Sequence, residues 1–294
     1  MNHPEILLLR HRIELADSLA KHTQWASSIG FVPTMGALHP GHLALVERAA
    51  LENKAVVVSI FVNPTQFNNA QDLALYPHTL DRDLALLSTL LHLGTPIWVY
   101  APGAEDLYSD GVKAQSFDFQ GLDSVFEGAD RPGHFNGVGT VVSLLWKAVP
   151  AHRVYFGEKD YQQLCVVQAL KRMEHRDLEI IPCPIVREPN GLAMSSRNER
   201  LTDSQRNRAA WIYQTLQEVA DRGRAAAPNR LSPHGLRSLV TRAAQEAPDF
   251  QIAYFDIVTE GGMTPVDQWV TGEKYRALIA VVFHGVRLID NIAL

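Results

Sequence analysis

The chain has 294 residues, of which 46% are hydrophobic and 20% charged, as in an ordinary globular protein. Its net charge of −5 argues against a nucleic-acid-binding protein, and its two cysteines form neither a disulfide framework nor a metal-binding pair. No apolar run approaches the roughly 18 residues of a membrane span, and no signal-peptide pattern is present, so we expect a soluble cytoplasmic protein without membrane contact.

Short apolar runs alternate with helical patterns over the first two thirds of the chain. The run at 55–62 is almost continuous in β-branched residues, which is typical of a strand covered on both faces. Such alternation predicts an α/β fold with a doubly wound parallel, Rossmann-like sheet. The predicted strands are 29–33, 55–62, 96–100, 153–156 and 179–186, and the predicted helices are 16–25, 42–52, 80–93, 137–149 and 161–175.

The pattern changes after about residue 201. Two helical segments come first, and three apolar runs then read as strands without further helices between them, which predicts a smaller α+β domain. We expect one domain at 1–187 and a second at 188–294. The predicted elements of the second domain are helices at 204–222 and 231–246 and strands at 250–258, 275–283 and 286–289.

A glycine-rich loop with two histidines joins the first predicted strand of the sheet to its helix. Residues 33–42 read Pro-Thr-Met-Gly-Ala-Leu-His-Pro-Gly-His. Exposed amides and the dipole at a helix N-terminus favour anions, phosphates above all, and Gly36 and Gly41 allow a ligand to approach the backbone closely. Alone, the segment could equally be a glycine turn with surface histidines. A zinc site is disfavoured because no third ligand lies nearby.

Three further polar loops follow predicted strands, and in such sheets ligands bind at the carboxyl ends of the strands. In the loop at 63–68, Gln66 can both donate and accept hydrogen bonds. After the strand at 153–156, Lys159 offers a compact positive charge, Asp160 can cap the next helix, and Gln163 is expected to face the same pocket as Gln66. Met194-Ser195-Ser196-Arg197-Asn198 could clamp a phosphate. Read singly, each loop could be an ordinary polar turn.

Other well-known nucleotide and hydrolase patterns are missing from the sequence. It contains no Walker A loop and no nucleophile elbow. The Gly-Val-Gly at 137–139 does not follow a predicted strand, which makes it weak evidence for a dinucleotide site. One carboxylate could be a ligand of a magnesium ion whose other ligands are mainly phosphate oxygens. Asp83 is the candidate, with Asp72, Asp81 and Asp130 as alternatives.

Five motifs occur together and in a fixed order along the chain. They are P-T-M-G-A-L-H-P-G-H (33–42), F-V-N-P-T-Q-F (61–67), F-E-G-A-D-R-P-G-H-F (126–135), F-G-E-K-D-Y-Q-Q-L (156–164) and M-S-S-R-N (194–198). As a set they resemble the pantoate–β-alanine ligase (pantothenate synthetase) family over most of residues 25–200. The resemblance implies that pantoate and ATP form pantoyl adenylate and pyrophosphate, and that β-alanine then displaces AMP to give pantothenate.

The resemblance also implies roles for individual residues. His42 is the proton donor, and His39, Lys159 and Arg197 supply charge stabilisation. Gln66 would bind pantoate and β-alanine, Gln163 would bind pantoate, and Mg²⁺ would accompany ATP. The family further implies a homodimer whose C-terminal domain closes over the site. The implied ATP-binding residues are Met35, Gly36, Ala37, Leu38, His39, Pro40, Gly41, His42, Gly157, Glu158, Lys159, Asp160, Val186, Met194, Ser195, Ser196 and Arg197.

Two alternative functions share part of this pattern. A nucleotidyltransferase of the phosphopantetheine or cytidylyl type carries the same H-x-G-H loop but has no use for the paired glutamines. A non-catalytic nucleotide-binding module would tolerate the loss of His42 or Lys159. At the edge of the site, His78 stands where the family often has arginine, and Asn68-Asn69-Ala70 differs from commoner variants. The loop at 67–77 is a candidate lid.

Overall fold

The computed structural model describes residues 6–25, 28–68, 73–226 and 228–294, and the chain within them forms two compact units. The first unit consists of the residues up to Glu158 together with Gln162–Pro184. The second consists of Lys159–Tyr161 and Ile185–Leu294. This division differs from the predicted ranges 1–187 and 188–294 in two respects. It falls just before the predicted boundary, and it assigns Lys159–Tyr161 to the second unit.

Six parallel strands form the sheet of the first unit, in the order β1-β4-β3-β2-β5-β6. Most residues of its central strands are buried, because their β-branched and aromatic side chains pack against helices. Val46 of the helix after β2 and Val56 of β3 belong to this core. The strands are β1 Ile6–Leu9, β2 Ile29–Thr34, β3 Ala55–Ile60, β4 Ile97–Tyr100, β5 Arg153–Gly157 and β6 Glu179–Cys183.

The helices of the first unit follow the predicted alternation, with adjusted ends. In chain order they are α1 Arg12–Lys21, α2 Pro40–Glu52, α3 Leu80–Ser88, α4 Ala104–Leu107, α5 Glu127–Asp130, α6 His134–Ala148 and α7 Tyr161–Met173, whose first residue belongs to the second unit. The helix predicted at 16–25 begins and ends earlier, and Thr23–Trp25 forms a 3₁₀ turn. The predicted helix 80–93 ends at Ser88, and Leu91–Leu93 forms a separate 3₁₀ turn. The strand β1 and the short helices α4 and α5 were not predicted.

The order of the strands reverses between β2 and β5, which is the switch point where doubly wound sheets bind ligands. The ladder between β2 and β5 pairs only Gly30 with Arg153 and Phe31 with Val154. Pro33, further along β2, has no N–H to donate to β5. The two strands therefore separate towards their carboxyl ends, at the point where the histidine loop and the Gly157 loop begin.

The second unit has an antiparallel sheet of three strands, in the order β7-β8-β9, packed against helices. Leu216, Leu236 and Ile279 lie in its core. One predicted helix, at 204–222, is divided between Ala209 and Trp211. The elements are α8 Asp203–Ala209, α9 Trp211–Arg224, α10 Pro233–Glu246, β7 Phe250–Thr259, β8 Tyr275–Phe283 and β9 Val286–Ala293. Within the described ranges, no helix is long and apolar enough to cross a membrane.

Candidate active site

The loop between β2 and α2 begins with a tight, left-handed turn. Gly36 and Ala37 have φ angles of 79° and 50°, so two consecutive residues adopt a conformation that L side chains seldom take. The Oγ1 atom of Thr34 accepts a hydrogen bond from Gly36 N at 3.1 Å and donates one to Ser59 O at 2.7 Å. The last residue of β2 thereby fixes the start of the loop to the neighbouring strand.

Asp83, in the first turn of α3, lies beneath this loop and is completely buried. Its Oδ2 accepts from Ala37 N at 3.0 Å, and its Oδ1 accepts from Leu38 N at 2.8 Å and from Thr79 Oγ1 at 3.3 Å. The prediction that Asp83 helps to hold Mg²⁺ is therefore corrected. Both carboxylate oxygens are engaged by backbone amides of the loop, and the side chain has no exposure through which to reach a metal.

His39 and His42 flank the N-terminus of α2, and their ring centroids are 4.1 Å apart. His39 Nδ1 accepts from Gly41 N at 3.1 Å, and His42 Nδ1 accepts from His39 N at 3.4 Å. An imidazole nitrogen that accepts from an N–H carries no proton, so the proton of each neutral ring lies on Nε2. The two histidines therefore act as caps through Nδ1, and each can serve as a donor through Nε2.

The amides at the start of α2 already have partners within the loop. Gly41 N bonds to His39 Nδ1, while His42 N and Leu43 N bond to His39 O at 2.8 and 3.2 Å. Pro40 has no N–H. The expectation of exposed helix amides that bind phosphate is therefore wrong for these positions. What the helix end offers an anion is its dipole and the Nε2–H groups of the two imidazoles.

Gln66 lies on the loop after β3, and only 8% of it is exposed. Its Oε1 accepts from Asn63 Nδ2 at 3.2 Å, and its Nε2 donates to Met35 Sδ at 2.8 Å. This contact connects the Gln66 loop to the histidine loop, as expected for loops at the ends of adjacent strands. Because a thioether is a weak acceptor, an oxygen atom of a ligand would be a stronger partner for that amide group.

Asn63 bonds directly to the Gln66 side chain, and Tyr108 supports it by bonding to Asn63. The sequence analysis did not predict these roles. Tyr108 donates to Asn63 Oδ1 at 2.6 Å, and Thr65 N and Thr65 Oγ1 donate to the same oxygen at 3.3 and 3.0 Å. Burial raises the pKa of the Tyr108 hydroxyl, which therefore stays protonated as a donor. With its oxygen occupied in this way, the Asn63 side chain directs its Nδ2 to Gln66 and to Gly137 O.

The segment around 131–137 supports the same loop. His134 Nδ1 lies 2.8 Å from Gln66 O, and Arg131 Nη2 donates to that oxygen at 3.3 Å. Gly137 is in the interior of α6, and a Cβ atom there would lie 2.3 Å from Thr65 O. The Gly-Val-Gly at 137–139 is therefore a close-packing feature of a helix, as its position away from a strand end indicated.

The two glutamines at the start of α7 have different environments. Gln162 is buried, with its Nε2 donating to Leu122 O and Val125 O and its Oε1 accepting from Glu127 N. It therefore holds the chain before α5 in place. Gln163 is only half-buried, and its proposed contact with pantoate stays a prediction.

Gly157 ends β5 beside the switch point, and Glu158 begins the 3₁₀ turn that follows. A Cβ atom on Gly157 would meet no atom within 4 Å among the described residues. The backbone at Gly157 is therefore open to a ligand. The assignment of both residues to the ATP site stays a prediction.

Lys159 belongs to the second unit, where it is held through its backbone. Asn291 Nδ2 donates to Lys159 O at 3.0 Å, and Arg276 Nη1 donates to Asn291 Oδ1 at 2.7 Å. The Arg276 guanidinium lies 4.1 Å from the centre of the Tyr161 ring. Lys159 Nζ is 3.5 Å from Asp160 Oδ1, so the predicted helix-capping residue lies beside the lysine charge. The sheet of the second unit therefore fixes the position of Lys159.

A hairpin in the second unit brings Val186 and Met194 together. Met194 N donates to Val186 O at 2.9 Å, and the turn between them includes Gly191 at a φ of 96°. Ser195 Oγ accepts from Arg197 N at 3.2 Å and begins the 3₁₀ turn Ser196–Arg200. These predicted ATP-binding residues, with Ser196, thus form one continuous structural feature.

A buried ion pair secures that hairpin. Arg187 donates to both carboxylate oxygens of Asp290, at 2.6 and 2.9 Å, and to Gly191 O at 3.1 Å. Its guanidinium lies 3.6 Å from the centre of the Tyr213 ring. Burial raises the pKa of Asp290, while the adjacent Arg187 acts to lower it. The sequence analysis did not identify this pair, since its members are 103 residues apart.

Comparison with known proteins identifies the family to which the chain belongs. A family model described as pantoate-beta-alanine ligase matches residues 8–293. The chain belongs to the pantoate–β-alanine ligase family. Membership in this ligase family confirms the resemblance drawn from the five motifs and favours it over the nucleotidyltransferase alternative.

Individual members of the ligase family match over almost their whole length. The pantothenate synthetase of Christiangramia forsetii is 44% identical over 291 residues, which are 98% of this chain and 99% of the relative. The crystal structure of the pantoate–β-alanine ligase (pantothenate synthetase) from Thermus thermophilus matches with a TM-score of 0.85 and 41% identity, covering 98% and 99% of the two chains. The Francisella tularensis ligase, solved with beta-gamma ATP and β-alanine, matches with a TM-score of 0.74 and 32% identity, covering 98% and 97%. These structures confirm the predicted fold class.

Two predictions at the edge of the site have no structural outcome. The candidate lid at 67–77 lies partly outside the described residues, which omit 69–72, and of the variant Asn68-Asn69-Ala70 only Asn68 is described.

Across the described ranges, no group of three or more His, Cys, Asp or Glu side chains is arranged to hold a metal ion.

Proposed function

We propose that this protein condenses pantoate with β-alanine, using ATP and passing through pantoyl adenylate. The observation that supports this most directly is the contact between Gln66 and Met35. It joins a loop suited to a polar acid, which follows β3, to a loop suited to phosphates, which follows the adjacent strand β2 and begins where β2 and β5 separate. An acid and the α-phosphate of a nucleotide could react at such a junction.

The first step needs charge stabilisation and positioning, without a protein nucleophile. A pantoate carboxylate oxygen forms a bond to the α-phosphorus of ATP, and the bond from that phosphorus to the bridging oxygen breaks with pyrophosphate leaving. The Nε2–H groups of His39 and His42 would donate to the phosphate oxygens as charge develops on them. Lys159 and Arg197 would contribute positive charge to the same group, in line with the motif roles.

Gln66 would orient the acid. Its side chain is buried and is held by Asn63, and its Nε2 faces a weak thioether acceptor. A pantoate oxygen that replaces the sulfur as acceptor would gain a stronger hydrogen bond without any rearrangement of the loop. Gln163 would bind pantoate from the helix after β5.

In the second step the β-alanine nitrogen attacks the acyl carbon of pantoyl adenylate. The carbon–oxygen bond to the phosphate breaks, AMP leaves with the bonding electrons, and the nitrogen loses one proton to give the amide. His42 Nε2–H is the candidate donor to the departing phosphate oxygen. Gln66 would also contact β-alanine, because the amine must approach the acyl group that this glutamine orients.

Three further parts of the proposal rest on family resemblance. Mg²⁺ would enter bound to the ATP phosphates, since Asp83 is engaged elsewhere and the described residues offer no carboxylate cluster. The protein would act as a homodimer in the cytoplasm. The ATP site would include Gly36, Ala37, Leu38, Pro40 and Gly41 besides the residues already given roles.

We expect pantoate to drive exchange of labelled pyrophosphate into ATP in the absence of β-alanine, because adenylation precedes amide formation. The reaction would contain enzyme, ATP, magnesium, labelled pyrophosphate and pantoate, with pantoate omitted as the control. Exchange that requires β-alanine would contradict the two-step order. Exchange driven by phosphopantetheine and not by pantoate would instead favour the nucleotidyltransferase.

Gln66→Ala is expected to weaken the use of pantoate while leaving ATP binding nearly intact. Loss of a buried neutral hydrogen bond costs about 1–3 kcal/mol, which corresponds to a KM for pantoate raised roughly 5- to 150-fold. ATP affinity, measured by calorimetry, should change by less than about threefold, under 1 kcal/mol. The exposed Gln217→Ala change is the control. A collapse of ATP affinity at an unchanged pantoate KM would place Gln66 in the nucleotide pocket.

A further inference from the structure

Asp83 is a buried carboxylate that, among the described residues, accepts hydrogen bonds from three uncharged donors. Two of them are consecutive backbone amides, those of Ala37 and Leu38, and the third is the Thr79 hydroxyl. Placing a carboxylate away from water is costly unless hydrogen bonds compensate it. The first turn of α3 does not require an aspartate that bonds to a loop some 45 residues earlier in the chain. These contacts therefore indicate a role for Asp83 in the loop.

The loop is shaped around this carboxylate. Gly36 and Ala37 both have positive φ angles, and the two amides that follow, those of Ala37 and Leu38, both donate to the Asp83 carboxylate. A Cβ atom on Gly36 would lie 3.0 Å from Asp83 Oδ2, so only glycine fits closely beside the carboxylate. The anion that these two amides bind is therefore a side chain of the protein itself.

The Asp83 contacts lead directly to the two imidazoles. Leu38, whose amide bonds to Asp83, is buried in the core and immediately precedes His39. The amide of His39 in turn bonds to His42 Nδ1, while His39 Nδ1 caps Gly41 N. A fixed Leu38 amide therefore holds the backbone of His39, where the capping hydrogen bonds begin. The directions of the His39 and His42 Nε2 atoms are fixed with it.

We propose that Asp83 is a positioning residue for the reaction, which sets the orientation of the His39 and His42 Nε2–H groups toward the ATP phosphates. This inference rests on the proposed function of the histidine loop. Asp83 contacts neither substrate nor reacting atoms. It acts by holding a left-handed turn that the loop would not keep unaided, because Ala37 pays an intrinsic steric penalty at its positive φ.

Asp83→Asn tests the proposal because it keeps the size of the side chain. One carboxylate oxygen becomes an NH₂ group, which is a donor placed against a backbone N–H, so one of the two amides loses its acceptor. The control is Asp17→Asn, the same change at an exposed position of helix α1. We expect Asp83→Asn to slow pantoate-dependent pyrophosphate exchange about 10- to 100-fold and Asp17→Asn to leave it unchanged.

Two readouts separate positioning from general damage. The Cε1–H signals of His39 and His42 in proton NMR, assigned with His39→Asn and His42→Asn, should shift in Asp83→Asn and stay in place in Asp17→Asn. The KM for ATP should rise while the KM for pantoate changes by less than about threefold. If Asp83→Asn does not fold by circular dichroism, Asp83→Ser, which removes the carboxylate without setting an NH₂ group against the amide, should show the same pattern.

The outcomes distinguish this inference from the proposed function. If His42→Ala lowers the exchange rate but the Asp83 variants keep wild-type rates and unshifted histidine signals, the positioning role is wrong and the function stands. An equal rise in both KM values without a histidine shift would likewise overturn it, as a purely structural effect. If His42→Ala keeps the wild-type rate, the proposed role of the loop itself has failed.

Discussion

Replacing His42 by alanine is expected to slow adenylation of pantoate by about two to four orders of magnitude with the fold intact. Removing one preorganised donor at developing charge costs roughly a factor of 10² to 10³, and loss of a general acid costs up to about 10⁴. The fold should persist because the ring is only partly buried and its contact with His39 N is long, at 3.4 Å. Single-turnover formation of pantoyl adenylate measures the rate, and circular dichroism checks the fold.

Two further substitutions at this position identify which ring nitrogen matters. His42→Asn keeps an acceptor near the place of Nδ1, and so preserves the cap, but it has no donor at the place of Nε2. His42→Gln can reach that place with its NH₂ group. We expect the asparagine variant to be as slow as alanine and the glutamine variant to recover part of the rate. Full activity in the asparagine variant would show that the capping acceptor, and not the Nε2 donor, is what the reaction needs.

Arg187→Ala is expected to lower the free energy of unfolding of the second unit by about 3–5 kcal/mol, because it leaves Asp290 buried without its charged partner. Urea denaturation followed by tryptophan fluorescence measures the loss. Arg208→Ala is the matched control. Arg208 also bonds to both oxygens of a carboxylate, that of Asp249, and lies over an aromatic ring, but its pair is exposed and should contribute at most about 1 kcal/mol.

The pH dependence of the Arg187→Ala loss has a definite sign. Burial raises the pKa of Asp290, and removal of Arg187 takes away the main opposing contribution. A carboxyl group whose folded-state pKa lies above its unfolded value stabilises the fold at low pH and loses that contribution as pH rises through the folded pKa. The difference between wild type and variant should therefore shrink as pH falls from 7.5 towards 5. Two results would contradict the burial of the Arg187–Asp290 pair. One is a stability difference between wild type and Arg187→Ala that grows as pH falls, and the other is a loss of stability in Arg187→Ala no larger than that in Arg208→Ala.

The sequence was most informative where local pattern and position in the sheet agree. The runs at 29–33, 55–62 and 153–156 became central strands, because β-branched and aromatic residues suit a sheet covered on both faces. The histidine loop and the Gln66 loop could be placed at one edge, since parallel strands present their carboxyl ends together. Ends of helices were less predictable. The apolar pattern of 80–93 continues past Ser88, although the backbone changes to a separate turn there.

Long-range polar contacts could not be predicted from the sequence. Asp83 looked like a solvated or metal-binding carboxylate, because nothing in its own helix indicates that two amides from another loop occupy it. Arg187 and Asp290 each look like a surface charge, and their burial follows from an arrangement of the hairpin and β9 that has no local signature. Side-chain caps by histidine were missed for a related reason, since serine, threonine, aspartate and asparagine are the usual residues there.

The assignment of Lys159–Tyr161 to the second unit has a consequence for how such a chain can be divided or recombined. A hybrid made from two relatives by joining them after Pro184 would combine the lysine segment of one parent with the Asn291 and Arg276 of the other, across a separation of 132 residues. Amino-acid changes on the two sides of that junction are therefore not independent. The chain packs into two units, but no single junction in the sequence separates them, because Lys159–Tyr161 of the second unit lie between two segments of the first.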